Sequence, residues 1–180
     1  MQKIKFILPL LLFLLLVIFL FSGLKTNPHE IPSPLIDKSV PSFQLPSVFD
    51  AKKIIDETVF LHHVSVLNVF ATWCISCHAE HTTLMDLHRE MPSVQMVGLA
   101  FKDNKNDVIS YLKKSGNPFN VVLDDKAGNA GIDLGVYGTP ETFVIDQQGV
   151  IRNKITGPMS PEILKQELIP LIEKLKSAGE

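Results

Sequence analysis

The stretch Val64-Ser65-Val66-Leu67-Asn68-Val69-Phe70-Ala71-Thr72-Trp73-Cys74-Ile75-Ser76-Cys77 runs an apolar segment straight into a pair of cysteines. A nearly continuous apolar run such as Val64 to Phe70 is the pattern of a strand buried on both faces. Asn68 is its polar exception, and an Asn buried there must be hydrogen-bonded. Residues 75–90 read as a helix that opens at the cysteines, with Pro92 marking its end. Cys74 therefore falls at a helix mouth, where unpaired amide groups and the helix dipole favour an anion. A thiolate is the reactive form of cysteine, so this placement activates Cys74. Cys77 follows three residues on, on the same helical side, placed to attack a mixed disulfide formed at Cys74.

The chain holds two cysteines in 180 residues, and both are in this motif. A disulfide stabilises most when it closes a long loop, and this one would close almost nothing. Two cysteines are too few for a four-cysteine zinc site. A reversible dithiol is the natural reading. A reading from a different class is a zinc or copper carrier. Cys74, Cys77, His78 and His81 fall at i, i+3, i+4 and i+7, on one helical face, and thiolate and imidazole are good ligands for both metals. One short segment rarely closes four ligands around an ion, so His78 and His81 fit better as solvated or supporting residues. Glu80, three residues past Cys77, has two readings on spacing alone. It takes the proton of the resolving thiol, or it is an exposed helix glutamate.

Outward from the motif, strands and helices alternate. Phe43-Gln44-Leu45 is a short strand candidate, and Val94 to Phe101 a second buried strand. Asp107 to Lys114 is helical up to the breaker Ser115-Gly116-Asn117-Pro118. Phe119 to Leu123 is a possible short strand, and a turn or short helix covers residues 126–135. Thr142–Ile145 and Val150–Ile155 flank Asp146-Gln147-Gln148-Gly149, a hairpin signal. Ser160 fits as N-cap of a last amphipathic helix beginning at Pro161, with Ile163, Leu164, Leu168, Leu171, Ile172 and Leu175 as its apolar stripe. The pattern predicts an α/β fold with a mixed central sheet covered on both faces. Gly135-Val136-Tyr137-Gly138-Thr139-Pro140-Glu141-Thr142 leads into one of these strands. Local sequence favours an ordinary trans Pro140. A cis bond would turn the Thr139 backbone outward, as an edge for an extended peptide.

Lys3 and Lys5 precede an uncharged apolar stretch, residues 6–24, about 19 residues or roughly 28 Å as a helix, close to the hydrocarbon thickness of a bilayer. A cleaved signal peptide would end in small residues in an A-x-A-like pattern. Phe21-Ser22-Gly23-Leu24-Lys25 has none, so an uncleaved signal anchor is expected. The basic start places residues 1–5 in the cytoplasm and the rest outside, where disulfides are permitted. Residues 25–42, with Pro28, Pro32, Pro34 and Pro41, read as an extended tether, leaving 43–180 as the folded domain. The net charge of −2 is spread along the chain, and no basic block points to nucleic acid.

Three segments carry a family resemblance: Ile31-Pro32-Ser33-Pro34-Leu35, Trp73-Cys74-x-x-Cys77-x-Ala79-Glu80-His81, and Gly135-Val136-Tyr137-Gly138-x-Pro140-Glu141-Thr142, with Gly131-Ile132-Asp133 just ahead of the last. Together they resemble the CcmG/DsbE family, tethered periplasmic proteins of the bacterial inner membrane that act in cytochrome c maturation. The resemblance implies a thioredoxin-like fold and a specific reductant of apocytochrome c or of a CcmH-type partner, re-reduced by a DsbD-type membrane transporter. It implies no cofactor. It makes Pro140 a cis-proline beside the cysteines and groups Trp73, Thr139 and Glu141 as substrate-binding. Glu80 and Glu141 become the acidic residues near the active site. Asn68 stands where thioredoxin has a buried aspartate, which moves the proton-transfer role to Glu80. The dipeptide Ile75-Ser76 and the residue His78 depart from the family pattern. Rival functions are a general disulfide oxidase or isomerase, the metal carrier, and a membrane-tethered adaptor without redox chemistry.

Overall fold

The structure is a computed structural model that describes residues 4–23 and 33–178, with side chains from residue 9 to 21 in the first of these segments. The chain divides into two compact units, Met1–Ile31 and Pro32–Glu180. The first contains helix α1, Ile4–Gly23, with Pro9 inside it and exposed apolar side chains from Leu10 to Phe21. That stretch of described side chains is shorter than a bilayer crossing. Among the described residues no helix is long and apolar enough to cross a membrane.

In the second unit, strands β1 (Gln44–Pro46) and β2 (Ile54–Asp56) form an antiparallel pair, followed by a 3-10 turn at Glu57–Phe60. The central sheet consists of β3 (Ser65–Phe70), β4 (Gln95–Phe101), β5 (Val121–Asp125), β6 (Glu141–Ile145) and β7 (Ile151–Thr156), in the order β5-β4-β3-β6-β7. β3, β4 and β5 run parallel, whereas β6 and β7 are antiparallel to their neighbours. Helices α2 (Ile75–Glu90), α3 (Lys105–Ser115) and α4 (Asn129–Asp133) connect the strands, and α5 (Pro161–Ile163) begins the C-terminal helical segment. The expected mixed sheet forms, and α2 covers the span read from the sequence.

Every residue of β3 is buried, because helices or chain cover both faces of the sheet. Alternation along the strands sends Val66, Phe70, Met96 and Val144 to one face, against Leu84 and Leu87 of α2, Leu112 of α3 and Ile172. It sends Leu67, Val69, Leu99, Phe143 and Ile145 to the other, against Val40, Ile55, Phe60 and Leu134. Gly131 of α4 sits so close to β4 that a Cβ there would lie 2.5 Å from the Phe101 ring, and its amide donates to Asp125 Oδ2 at 2.8 Å. This close approach explains the glycine in the Gly131-Ile132-Asp133 segment.

The structure departs from the sequence reading at three points: two expectations need correction, and one segment carried none. The tether was expected to run to residue 42, but the described residues from 33 onward belong to the folded unit. Val40 is buried, Leu35 and Ile36 pack on the same core, and Asp37 and Val40 donate backbone hydrogen bonds to Ile151 and Gly149. Apolar side chains among the prolines overrode the extended reading; residues 25–32 lie outside the described residues. Second, β2 and the 3-10 turn carry no sequence signal strong enough to separate them from loop. Third, the C-terminal helix is not uniform. A π turn at Leu164–Leu168 separates α5 from α6 (Ile169–Ala178). The cause is Pro170, which has no N–H to donate and crowds the carbonyl four residues back. Ser160 caps the start as expected, accepting from the Ile163 amide at 3.3 Å.

Candidate active site

Cys74 is the N-cap residue of α2, in extended backbone, and its sulfur accepts from the Cys77 amide at 3.1 Å. The two sulfurs are joined in a disulfide with Cα atoms 5.3 Å apart. Both side chains are largely buried, Cys74 being the more exposed of the two. In the reduced state the same amide, at the positive end of a 16-residue helix, faces a thiolate on Cys74. The Ser76 hydroxyl lies 3.9 Å from that sulfur. Ile75, between the cysteines, is 88% exposed, and Trp73 beside them is 60% exposed.

The Thr139–Pro140 peptide bond is cis, as the resemblance implied. The Thr139 carbonyl oxygen approaches Cys74 Sγ to 3.4 Å, so residues separated by 65 positions in sequence form one surface. Pro140 itself is buried. Glu141 is also fully buried and turned away from that surface. Its Oε1 accepts from the Tyr137 amide at 3.2 Å, and its Oε2 lies 2.9 Å from Lys154 Nζ, an ion pair rather than an aligned hydrogen bond. Glu141 therefore has no surface to offer a substrate, and whatever it does to one passes through the loop it holds. In the same strand Thr142 faces the opposite side of the sheet, toward Asn68.

Asn68 and Glu80 meet in the core under α2. Asn68 Nδ2 donates to Glu80 Oε1 at 2.8 Å and to Thr142 Oγ1 at 3.0 Å, while Glu80 Oε2 accepts from the Met159 amide at 2.7 Å. Glu80 is 1% exposed, which rules out its reading as a solvated helix residue. Burial pushes its carboxyl up to about 7, against the opposing pull of the Met159 and Asn68 donors. Cys77 and Glu80 lie one turn apart on the buried side of α2. A buried acid that titrates near neutrality is suited to exchanging a proton with a thiol.

The four-ligand metal site does not assemble. The sulfurs bind each other, while His78 and His81 use Nε2 to donate to the carbonyls of Thr72 (2.8 Å) and Gly116 (3.1 Å). Both imidazoles pack on Tyr111, with ring centroids 4.7 and 5.1 Å apart. Among the described residues no three His, Cys, Asp or Glu side chains are grouped to hold a metal ion.

Sequence reading missed Asp103, just past β4. Its carboxylate accepts from the Thr72 amide at 2.5 Å, the Thr72 hydroxyl at 2.9 Å and the Asn104 amide at 2.6 Å. The Trp73 indole donates to the neighbouring Lys102 carbonyl at 3.3 Å. The loop that carries Cys74 is thus tied to the β4–α3 turn. A lone Asp after a strand gives no such signal in sequence. Asp103→Ala is expected to cost about 2 kcal/mol of stability. It is also expected to red-shift the emission of Trp73, the only tryptophan in the chain. Denaturant titration and fluorescence of the oxidised protein check both; an unchanged emission in a destabilised variant would show that the tie does not hold the loop.

The chemistry follows from the placement. The Cys74 thiolate attacks one sulfur of a substrate disulfide, forms a mixed disulfide and expels the first substrate thiolate. The Cys77 thiolate then attacks Cys74 Sγ and expels the second. The substrate gains two electrons and the protein is left with the Cys74–Cys77 bond. A helix-mouth cysteine pair beside a cis-proline loop on this sheet defines a thioredoxin-fold thiol:disulfide oxidoreductase.

Comparison with known proteins narrows the class. The Redoxin domain profile matches residues 36–168. The thiol:disulfide interchange protein DsbE of Allochromatium vinosum is 40% identical over 168 residues, covering 93% of this chain and 92% of its own length. The protein of the same name from Yersinia pestis is 42% identical over 184 residues, covering 99% and 96%. A secreted thiol-disulfide isomerase of Corynebacterium glutamicum superposes with a TM-score of 0.65 at 20% identity, over 74% of this chain and 85% of that one, a likeness of fold. The chain belongs to the CcmG/DsbE family.

Proposed function

We propose that this protein is a specific reductant in cytochrome c maturation, held at the bacterial inner membrane with its redox domain in the periplasm. Its reduced Cys74–Cys77 pair reduces the disulfide of apocytochrome c or of a CcmH-type partner, and a DsbD-type membrane transporter restores the dithiol. The exposed apolar side chains of α1, from Leu10 to Phe21, support the anchor, and Lys3 and Lys5 ahead of them support a cytoplasmic start. The observation that carries the reading is the Thr139 carbonyl 3.4 Å from Cys74 Sγ. It brings the segment Gly135 to Thr142, one of the two motifs most particular to the family resemblance, against the nucleophile. An extended peptide carrying a disulfide fits there, with Trp73 and Ile75 as its apolar neighbours.

The test is a trap. Cys77→Ser in cells leaves Cys74 able to attack and unable to be released, so the partner stays disulfide-linked. The expected adduct is an apocytochrome c or a CcmH-type protein. Adducts to a broad range of exported proteins, with the wild-type pair predominantly oxidised while the transporter is intact, would establish a general oxidase instead.

A further inference from the structure

Lys154 belongs to no part of the exchange mechanism, yet it is the most heavily engaged cation of the fold among the described residues. Its side chain is 4% exposed on β7. Nζ lies 2.9 Å from Glu141 Oε2 and donates to the Gly135 carbonyl at 2.7 Å. It also sits 4.9 Å from the centroid of the Tyr137 ring and 5.3 Å from that of Phe143. Glu141 completes the circle by accepting from the Tyr137 amide at 3.2 Å.

These contacts converge on one loop. Gly135, at a φ of 65°, opens it in a conformation that other residues rarely adopt. Tyr137, 71% exposed, rests one part of its ring over the buried ammonium and leaves the rest to solvent. Two residues later the Thr139 carbonyl stands against Cys74 Sγ. An ammonium held by a carboxylate, a carbonyl and two aromatic faces fixes the loop from beneath, at both its first residue and its aromatic tip.

We propose that Lys154, acting through Glu141 and the Gly135 carbonyl, is a positioning residue that sets the preference of this protein for polypeptide disulfides over small ones. A polypeptide substrate must lay its backbone along Thr139 and its side chains on Tyr137, so its binding depends on the loop's shape. A small disulfide needs only an approach to Cys74 Sγ. The inference rests on thiol:disulfide exchange alone and is independent of which partner the protein serves.

The test uses the reduced full-length chain in detergent and two oxidants, a peptide with one internal disulfide and dithiobisnitrobenzoate, read as single-turnover rates against concentration. Lys154→Met is expected to lower the selectivity for the peptide about tenfold, through weaker half-saturation rather than a slower limiting rate. Lys154→Met leaves Glu141 buried without its counter-charge, so folding is checked by circular dichroism. The double variant Glu141→Gln/Lys154→Met removes both charges and is expected to show the same loss. Parallel losses with both oxidants, or a folded double variant that keeps the selectivity of the wild type, would overturn the proposal.

Discussion

Cys74→Ser is expected to reduce exchange with a protein disulfide to the rate of the uncatalysed reaction. A serine hydroxyl is not ionised at neutral pH, so the amide of Cys77 and the mouth of α2 have no thiolate to stabilise. Cys77→Ser has a different expected signature. The first attack proceeds, one thiolate is expelled, and the reaction halts at a mixed disulfide on Cys74 in stoichiometric amount. Neither variant should owe its phenotype to unfolding, because a loop of about four residues gives a disulfide at most about 2 kcal/mol of chain-entropy stabilisation. Quenched-flow alkylation and mass analysis separate the two cases. Full turnover by Cys74→Ser would assign the chemistry elsewhere, and equal trapping on Cys77 in that variant would exchange the two roles.

The sequence exposed one half of this site far better than the other. A strand that is apolar on both faces, a cysteine pair and an uninterrupted helix follow one another within residues 64–90, so local rules place Cys74 at the helix mouth. The other half depends on contacts that no local pattern encodes. Nothing in residues 135–142 states that Thr139 lies beside Cys74; the antiparallel register of β6 on β3, with Asn68 opposite Thr142, decides it. Glu141 is instructive. As an acidic residue beside Pro140 it reads as part of the substrate surface, but strand alternation turns it to the side of Phe143, where the Lys154 ammonium and the Tyr137 amide make its burial tolerable. Lys154 in turn sits in Arg152-Asn153-Lys154, three polar residues in a row with no local signal that one of them is buried. Glu80 has two readings from sequence for the same reason: helical spacing puts it on the side of Cys77, but only the packing of Asn68 and the Met159 amide around it shows that side to be dry. The cis bond at Pro140 likewise came from family resemblance, since local sequence favours trans.

Glu80→Gln is expected to abolish the loss of stability that Glu80 imposes as the pH rises. Burial pushes the glutamate's carboxyl up to about 7 in the folded protein, from an ordinary value near 4.5. A carboxyl raised in this way favours the folded state when protonated, so its contribution is fully present below about 4.5, declines as the pH rises, and is lost above about 7. The shift corresponds to about 3 kcal/mol over that window. Glutamine has nearly the same shape and no charge, so the stability of Glu80→Gln relative to wild type should increase by about that amount from pH 4.5 to pH 8. One of its two oxygen sites becomes a donor facing Asn68 Nδ2 or the Met159 amide, which lowers the variant at every pH and leaves the slope untouched. Denaturant titration of the oxidised protein across the window reads that slope directly. The same residue carries a kinetic expectation, because Cys77 must lose its proton before it can attack Cys74. With Glu80 as acceptor, release from the mixed disulfide should accelerate through pH 7; in Glu80→Gln the rise should move toward the ordinary thiol range. A variant that acquires the new stability slope but keeps the wild-type rate profile would make Glu80 a buried acid with no part in the exchange. Loss of both together would tie the burial of this carboxyl to the release step that it sits beneath.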